Sequence, residues 1–128
     1  MSEFYLEIIQ PSWAPPGWLF GPVWTVLYLL MIISFGSAFL GVIKKEFPLI
    51  ALFPIGINIV SNVIWTYLFF QLQNFDLALL DILLVWASIV AIMISFWDSR
   101  RWISYIQIPY LLWVSFATFL MFAIWRLN

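Results

Sequence analysis

The sequence predicts an all-α membrane protein folded as an antiparallel bundle of four transmembrane helices, and three observations carry that prediction. Hydrophobic residues fill 66% of the 128 positions against 9% charged, and mean hydropathy is +1.07, beyond what a water-soluble domain shows. Four stretches each reach the roughly 20 apolar residues that a spanning helix needs. The polar breaks between them, Lys44-Lys45-Glu46, Gln73-Asn74-Phe75-Asp76 and Asp98-Ser99-Arg100-Arg101, are too short for anything but antiparallel neighbours. The composition also excludes whole classes of function. A net charge of −1 leaves no basic surface for nucleic acid. Cysteine and histidine are both absent, which removes disulfides, thiolate and imidazole metal ligands, nucleophilic cysteine and the usual proton shuttle. No metal site is expected.

Residues 1–128 read as one domain, with 1–17 as an external loop segment and spans at about 18–43, 48–72, 77–97 and 102–125. The opening segment is not a secretory signal peptide, because it carries Glu3 and Glu7, no Lys or Arg, and no long apolar run before Pro11. Pro11-Ser12-Trp13-Ala14-Pro15-Pro16-Gly17-Trp18 reads as a stiff aromatic loop at the interface. Pro54 and Pro109 fall inside the second and fourth spans, where each removes a backbone hydrogen bond and can kink the helix or open a gap beside a cavity. Lys44, Lys45, Arg100 and Arg101 share one face of the membrane and only Arg126 lies on the other. The positive-inside rule therefore puts the first and third inter-helix loops in the cytoplasm of a cell-membrane protein, with both termini outside.

Nine tryptophans sort by depth. Trp13, Trp18 and Trp125 fall at the outer interface and Trp97 and Trp102 at the inner one, the positions of an aromatic belt. Trp24, Trp65, Trp86 and Trp113 lie deeper and are the informative ones. Helical spacing places Phe20, Trp24, Tyr28 and Met31 on one stripe of the first span, Asn58, Asn62, Trp65 and Phe69 on one of the second, and Ile106, Tyr110, Trp113 and Ala117 on one of the fourth. If the stripes face inward they line a single aromatic cavity. Amides at membrane depth need partners, so Asn58 and Asn62 are expected to point into the bundle, either holding a ligand's polar edge or tying helices together. Asp81 is the one ionisable residue within an apolar span. It is read as an interfacial or structural carboxylate, as a bond to Asn62, or as a proton-coupling group. Ser34 with Ala38, Ser37 with Gly41, and Ala87 with Ala91 are small-residue pairs that join helices within a bundle or between two copies.

The segment Pro11-Ser12-Trp13-Ala14-Pro15-Pro16, followed by Phe20-Gly21-Pro22-Val23-Trp24-Thr25-Val26-Leu27-Tyr28, resembles the signature of the TspO/MBR family, the tryptophan-rich sensory or translocator proteins. The resemblance continues through Asn58, Asn62, Trp65, Phe69 and Phe70, through Ala78-Leu79-Leu80-Asp81-Ile82, and through Pro109-Tyr110-Leu111-Leu112-Trp113 to Trp125-Arg126-Leu127-Asn128. It implies a bundle pocket for tetrapyrroles such as protoporphyrin IX or haem, with no resident cofactor required. The matched pocket positions are Trp24, Tyr28, Asn62, Trp113 and Ala117, with Tyr5 and Trp13 in a covering loop. Adding the polar and aromatic stripe positions Asn58, Trp65 and Tyr110 completes the expected ligand-binding set. The resemblance also implies a role in porphyrin binding, transport or regulation under stress, and in some bacterial members light-dependent porphyrin degradation, for which Trp24 and Trp113 are the photochemical candidates.

Two departures stand out. Family bundles have five spans, whereas this sequence starts at the loop that normally follows the first, so either four helices suffice, a second subunit covers the exposed wall, or this start is not the native one; a homodimer is the expected assembly. The sterol-recognition stretch of animal relatives would need a tyrosine at Phe122, and Met121 replaces an asparagine, so no cholesterol binding is expected. The competing reading is a small proton-coupled multidrug exporter, but these depend on a carboxylate in the first span and the first span here has none. No acid–base pair or activated nucleophile is visible, so an enzymatic role would be photochemical.

Overall fold

The computed structural model describes residues 11–15 and 17–127, and among these every regular element is helical. Helix α1 is Gly17–Ile43. A 3₁₀ turn, Leu49–Leu52, leads into α2, Phe53–Thr66, which ends in a π-helical turn, Tyr67–Gln71; α3 is Phe75–Phe96 and α4 is Arg101–Leu127. Four stretches, Trp18–Ile43, Leu49–Gln71, Phe75–Phe96 and Arg101–Leu127, are long and apolar enough to cross a membrane. Large apolar side chains such as Ile32, Leu40, Val63, Leu80, Ile94 and Phe119 stand on the outside of the bundle, which suits a surface solvated by lipid tails rather than water.

The second span differs from the single helix expected over 48–72. Pro48 is extended (φ −69°, ψ 152°) and begins the 3₁₀ turn. Pro54 then falls in the first turn of α2, where its missing N–H has no intrahelical acceptor to lose, so it starts the α-helix instead of kinking it. At the far end Leu72 N–H bonds the Tyr67 carbonyl at 3.0 Å, the five-residue step of a π turn. Gln73, at φ 53°, reverses the chain. Asn74 caps α3, its Oδ1 accepting from Leu77 N at 3.1 Å.

In sequence order the helices alternate direction, but in space they follow α1, α4, α3, α2. Helix α3 packs along both α2 and α4, while α1 leans on α4 and meets the second span chiefly at the 3₁₀ turn. Ala38, Ala78, Ile89, Ile92, Phe96 and Ile103 are fully buried along these seams. Lipid tails are as apolar as leucine, so what favours these contacts is close packing and interhelical hydrogen bonds. Gln107 on α4 donates to Ser34 Oγ on α1 at 3.0 Å, Ser104 Oγ donates to the Met93 carbonyl across α4 and α3 at 2.6 Å, and Asn58 Nδ2 on α2 donates to Ser88 Oγ on α3 at 2.9 Å. Ser34 and Ala38 serve inside the bundle, whereas Ala87 stands on its exterior and Ala91 is half-buried.

The end bearing Lys44, Lys45, Arg100 and Arg101 is latched. Arg100 Nη2 pairs with Glu46 Oε2 at 2.8 Å, and the same guanidinium lies 4.9 Å from the centre of the Phe47 ring. Phe47 meets Phe96 edge-on at 5.1 Å and lies so close to Gly41 that a Cβ there would collide with its ring. Lys45 takes φ 62°, which turns the chain so that Glu46 N–H reaches the Gly41 carbonyl at 2.8 Å.

Candidate functional site

Because α1 and α2 are not paired along their other halves, a cavity of 280 Å³ opens between them, floored by α3 and α4. It lies in the half of the bundle that contains the start of α1 and the end of α2. Helix α1 contributes Phe20, Gly21, Trp24 and Tyr28, the i, i+4, i+8 face of its first turns. The second span contributes Asn62, Trp65, Thr66, Phe69 and Phe70. In a regular α-helix neighbouring positions diverge by 100° (a full turn being ~3.6 residues). The wider π turn helps bring both Phe69 and Phe70 to the cavity. Helix α3 gives Ile82 and Val85, and α4 gives Trp113, Val114, Ala117, Leu120, Met121 and Ile124. Gly21, Tyr28 and Thr66 are exposed as well as lining, so the opening is on the α1–α2 side.

The aromatic rings are set against one another in stacked, tilted and edge-on pairs. Trp24 lies 5.5 Å from Tyr28, tilted by 36°, and Trp113 meets Phe20 edge-on at 5.6 Å. Trp65 stacks on Phe69 at 5.0 Å with 9° between planes, and Phe69 in turn meets Phe70 edge-on at 4.8 Å. The indole N–H groups of Trp65 and Trp113 are buried without a hydrogen-bond partner. An unsatisfied buried donor costs roughly 1–3 kcal/mol, so these two atoms are sites where an acceptor would be favoured.

Of the expected set, Trp24, Tyr28, Asn62, Trp65, Trp113 and Ala117 come together around the cavity. Asn58 and Tyr110 do not line it. Both are buried behind Asn62, where Asn62 Nδ2 donates to the Tyr110 hydroxyl at 2.5 Å and Tyr110 donates to Asn58 Oδ1 at 3.1 Å. They brace the lining rather than form it. Met31 belongs to the core and Ile106 is half-buried outside the lining. Trp13 is not among the cavity-lining residues and sits edge-on against Phe116 at 5.8 Å, which in turn meets the cavity residue Trp113 at 5.7 Å. Tyr5 lies outside the described residues.

Two deep positions also differ from expectation. Trp86 faces outward, 40% exposed, with its indole N–H satisfied by Ser115 Oγ at 2.8 Å. Asp81 does not bond Asn62, whose amide nitrogen is engaged by Asn58 and Tyr110; its Oδ2 is buried without a partner. The lining positions that the stripes left out are Gly21 on α1, Thr66 and Phe70 on the second span, Ile82 and Val85 on α3, which carry no polar or aromatic signal, and Val114, Leu120, Met121 and Ile124 on α4. Leu120 and Ile124 continue the Trp113–Ala117 face by further steps of three and four and were legible on that ground.

Among the described residues no group of three or more His, Cys, Asp or Glu gathers to hold a metal ion. The lining itself offers stacking, van der Waals contact and a few directed hydrogen bonds, the means by which mostly apolar pockets position their ligands.

Comparison with known proteins agrees with this architecture. The TspO/MBR family model matches residues 1–126. The tryptophan-rich protein TspO of Chlorobaculum tepidum is 38% identical over 99% of this chain and 80% of its own length. Protein CrtK of Rhodobacter capsulatus is 36% identical over 99% and 79%, and the human translocator protein 32% identical over 98% and 75%. A multi-pass membrane chain with this aromatic bundle and these relatives belongs to the TspO/MBR family.

Proposed function

We propose that the chain binds a tetrapyrrole, protoporphyrin IX or haem, in the cavity between α1 and α2, and serves in its transport or regulation. The observation that carries this reading is the convergence of Trp24, Trp65 and Trp113 from three separate spans on one cavity with a single amide, Asn62, at depth. A flat, apolar macrocycle with polar edges suits such a slot, since indole rings supply stacking area and the amide fixes orientation. At 280 Å³ the cavity is just below the roughly 300–1,000 Å³ typical of ligand pockets, so the macrocycle enters edge-first and part of it remains in the α1–α2 opening. Trp24 and Trp113 are placed to exchange electrons with an excited pigment, and light-dependent porphyrin breakdown, with dioxygen as the oxidant, is a side activity of the same site.

The lipid bilayer is the solvent of this protein. The orientation we propose places the Arg100–Glu46 end in the cytoplasm, where four of the five basic side chains gather. A second copy packs on the small residues of α3, the exposed Ala87 and the half-buried Ala91. The deciding experiment is quenching of intrinsic tryptophan fluorescence by protoporphyrin IX in detergent. Saturable quenching that weakens in Trp24→Phe and Trp113→Phe supports the site, and quenching that is non-saturable or indifferent to both substitutions refutes it.

A further inference from the structure

Asn62 is the one side-chain amide among the residues lining the cavity, and two main-chain carbonyls decide which way it points. One amide atom of Asn62 lies 3.1 Å from the Asn58 carbonyl oxygen. That oxygen can only accept, so the atom facing it is Nδ2. The same nitrogen is 3.2 Å from Asn58 Oδ1 and 2.5 Å from the Tyr110 hydroxyl. The supporting groups are fixed by the second carbonyl. Ser88 Oγ lies 2.6 Å from the Val85 oxygen and must give it its only proton, so Ser88 accepts from Asn58 Nδ2 at 2.9 Å. Asn58 therefore turns Oδ1 toward Tyr110 and takes the hydroxyl proton at 3.1 Å. Tyr110, having given its proton away, accepts from Asn62. With both nitrogens assigned, Asn62 Oδ1 is the amide atom left to meet a ligand, and it has no hydrogen-bond partner among the described residues.

We propose that this network makes the deep end of the cavity a dedicated hydrogen-bond acceptor, so that the pocket selects planar ligands whose leading edge carries an N–H or O–H donor. Asn58, Ser88 and Tyr110 are then positioning residues that prevent Asn62 from offering its amide nitrogen instead. The proposal rests on the cavity being a ligand site and adds a polarity to it. Acceptor atoms on the same ligand are served by the walls, where the indole N–H groups of Trp65 and Trp113 lack partners. For a ligand bearing carboxyl groups, the form that fits is the neutral acid with its O–H on Asn62 Oδ1, because a carboxylate would set two acceptors against each other.

Carbazole and dibenzofuran test this directly, since they share one flat tricyclic shape and differ in carrying an N–H or an oxygen at the same place. Their affinities are measured by titration calorimetry on the detergent-solubilised protein. The readout is the carbazole-to-dibenzofuran affinity ratio relative to that of Asn62→Leu, a comparison that cancels differences in partitioning. The expected ratio is about tenfold higher in the wild type than in Asn62→Leu, and it falls part of the way to the Asn62→Leu value in Tyr110→Phe, where the Asn58 carbonyl still holds Nδ2. Ser88→Ala, which removes the acceptor holding Asn58, serves as the second variant if Tyr110→Phe does not fold. Equal ratios in wild type and Asn62→Leu, or failure of both tricyclics to bind, overturn the proposal. An unchanged ratio in Tyr110→Phe, or in Ser88→Ala, overturns the positioning role. Protoporphyrin IX quenching on the same preparations keeps the two ideas separate: carbazole preference without porphyrin binding retains the polarity and removes the tetrapyrrole reading, and the reverse removes only the polarity.

Discussion

Gln107 on α4 donates its side-chain amide to Ser34 on α1 at 3.0 Å, and both residues are buried. It is a side-chain tie between α1 and the bundle, and it lies beyond the deep end of the cavity, so it holds the wall that carries Trp24 and Tyr28 without touching the site. Gln107→Leu preserves volume and removes that tie. Interhelical hydrogen bonds within membranes are worth about 0.6–2 kcal/mol, so thermal unfolding in detergent is expected to show a loss of that size. Equal stability in the variant would mean that packing alone seats α1.

Substituting the stacking rings separates cavity from periphery. Aromatic pairs contribute about 0.5–1.5 kcal/mol beyond buried area, so Trp24→Ala and Trp113→Ala are each expected to weaken protoporphyrin IX binding by at least severalfold. Trp86→Phe, at similar depth but facing outward with its indole on Ser115, is expected to leave the affinity unchanged. A Trp86 effect as large as that of Trp24 would place the pigment on the lipid-facing surface.

Metal-free porphyrin should bind at least as readily as haem. The sequence has no His or Cys, and the axial donors among the cavity residues are the Tyr28 hydroxyl and the Met121 sulfur. Parallel titrations of protoporphyrin IX and haem check this. Tight haem binding with none of the metal-free ring would show that an iron ligand, not stacking, governs affinity.

At the opposite end, Gly41→Ala drives a methyl group into the Phe47 ring, against which Arg100 and Phe96 are also packed. Overpacking of this kind costs about 1–3 kcal/mol. A drop in thermal stability is expected, with protoporphyrin IX affinity unaffected because the site is in the other half of the bundle. A stabilised variant would show that Phe47 has room to turn aside.

Illumination of the pigment complex tests the side activity. Wild type is expected to lose porphyrin absorbance faster than Trp24→Phe and Trp113→Phe, with the variants compared at equal pigment occupancy. Identical bleaching in all three would remove the protein from the photochemistry.

The spans and most of the site were legible in the sequence because they depend on local properties. Runs of apolar residues fix what crosses a membrane, and the spacing of Trp24, Tyr28, Asn62, Trp65, Trp113 and Ala117 on helical faces requires only the 3.6-residue period. Chain order and short loops likewise fix the alternation of helix direction, though not that consecutive α1 and α2 pack side by side, which they do not. The sequence could not decide which neighbours in space pair along their whole length. That α4 and α3 separate α1 from α2, leaving a cavity between those two, follows from packing of side chains distant in sequence. Burial of Asn58 and Tyr110 behind Asn62 is likewise tertiary, since hydrogen bonds across three helices decide which amide lines the cavity and which supports it. Trp86 and Trp113 are equally deep and equally aromatic in sequence; only the rotation of α3 and α4 about their axes sends one to lipid and the other inward. The π turn at Tyr67–Gln71 has no periodic signature, yet it brings Phe69 and Phe70 together at the cavity.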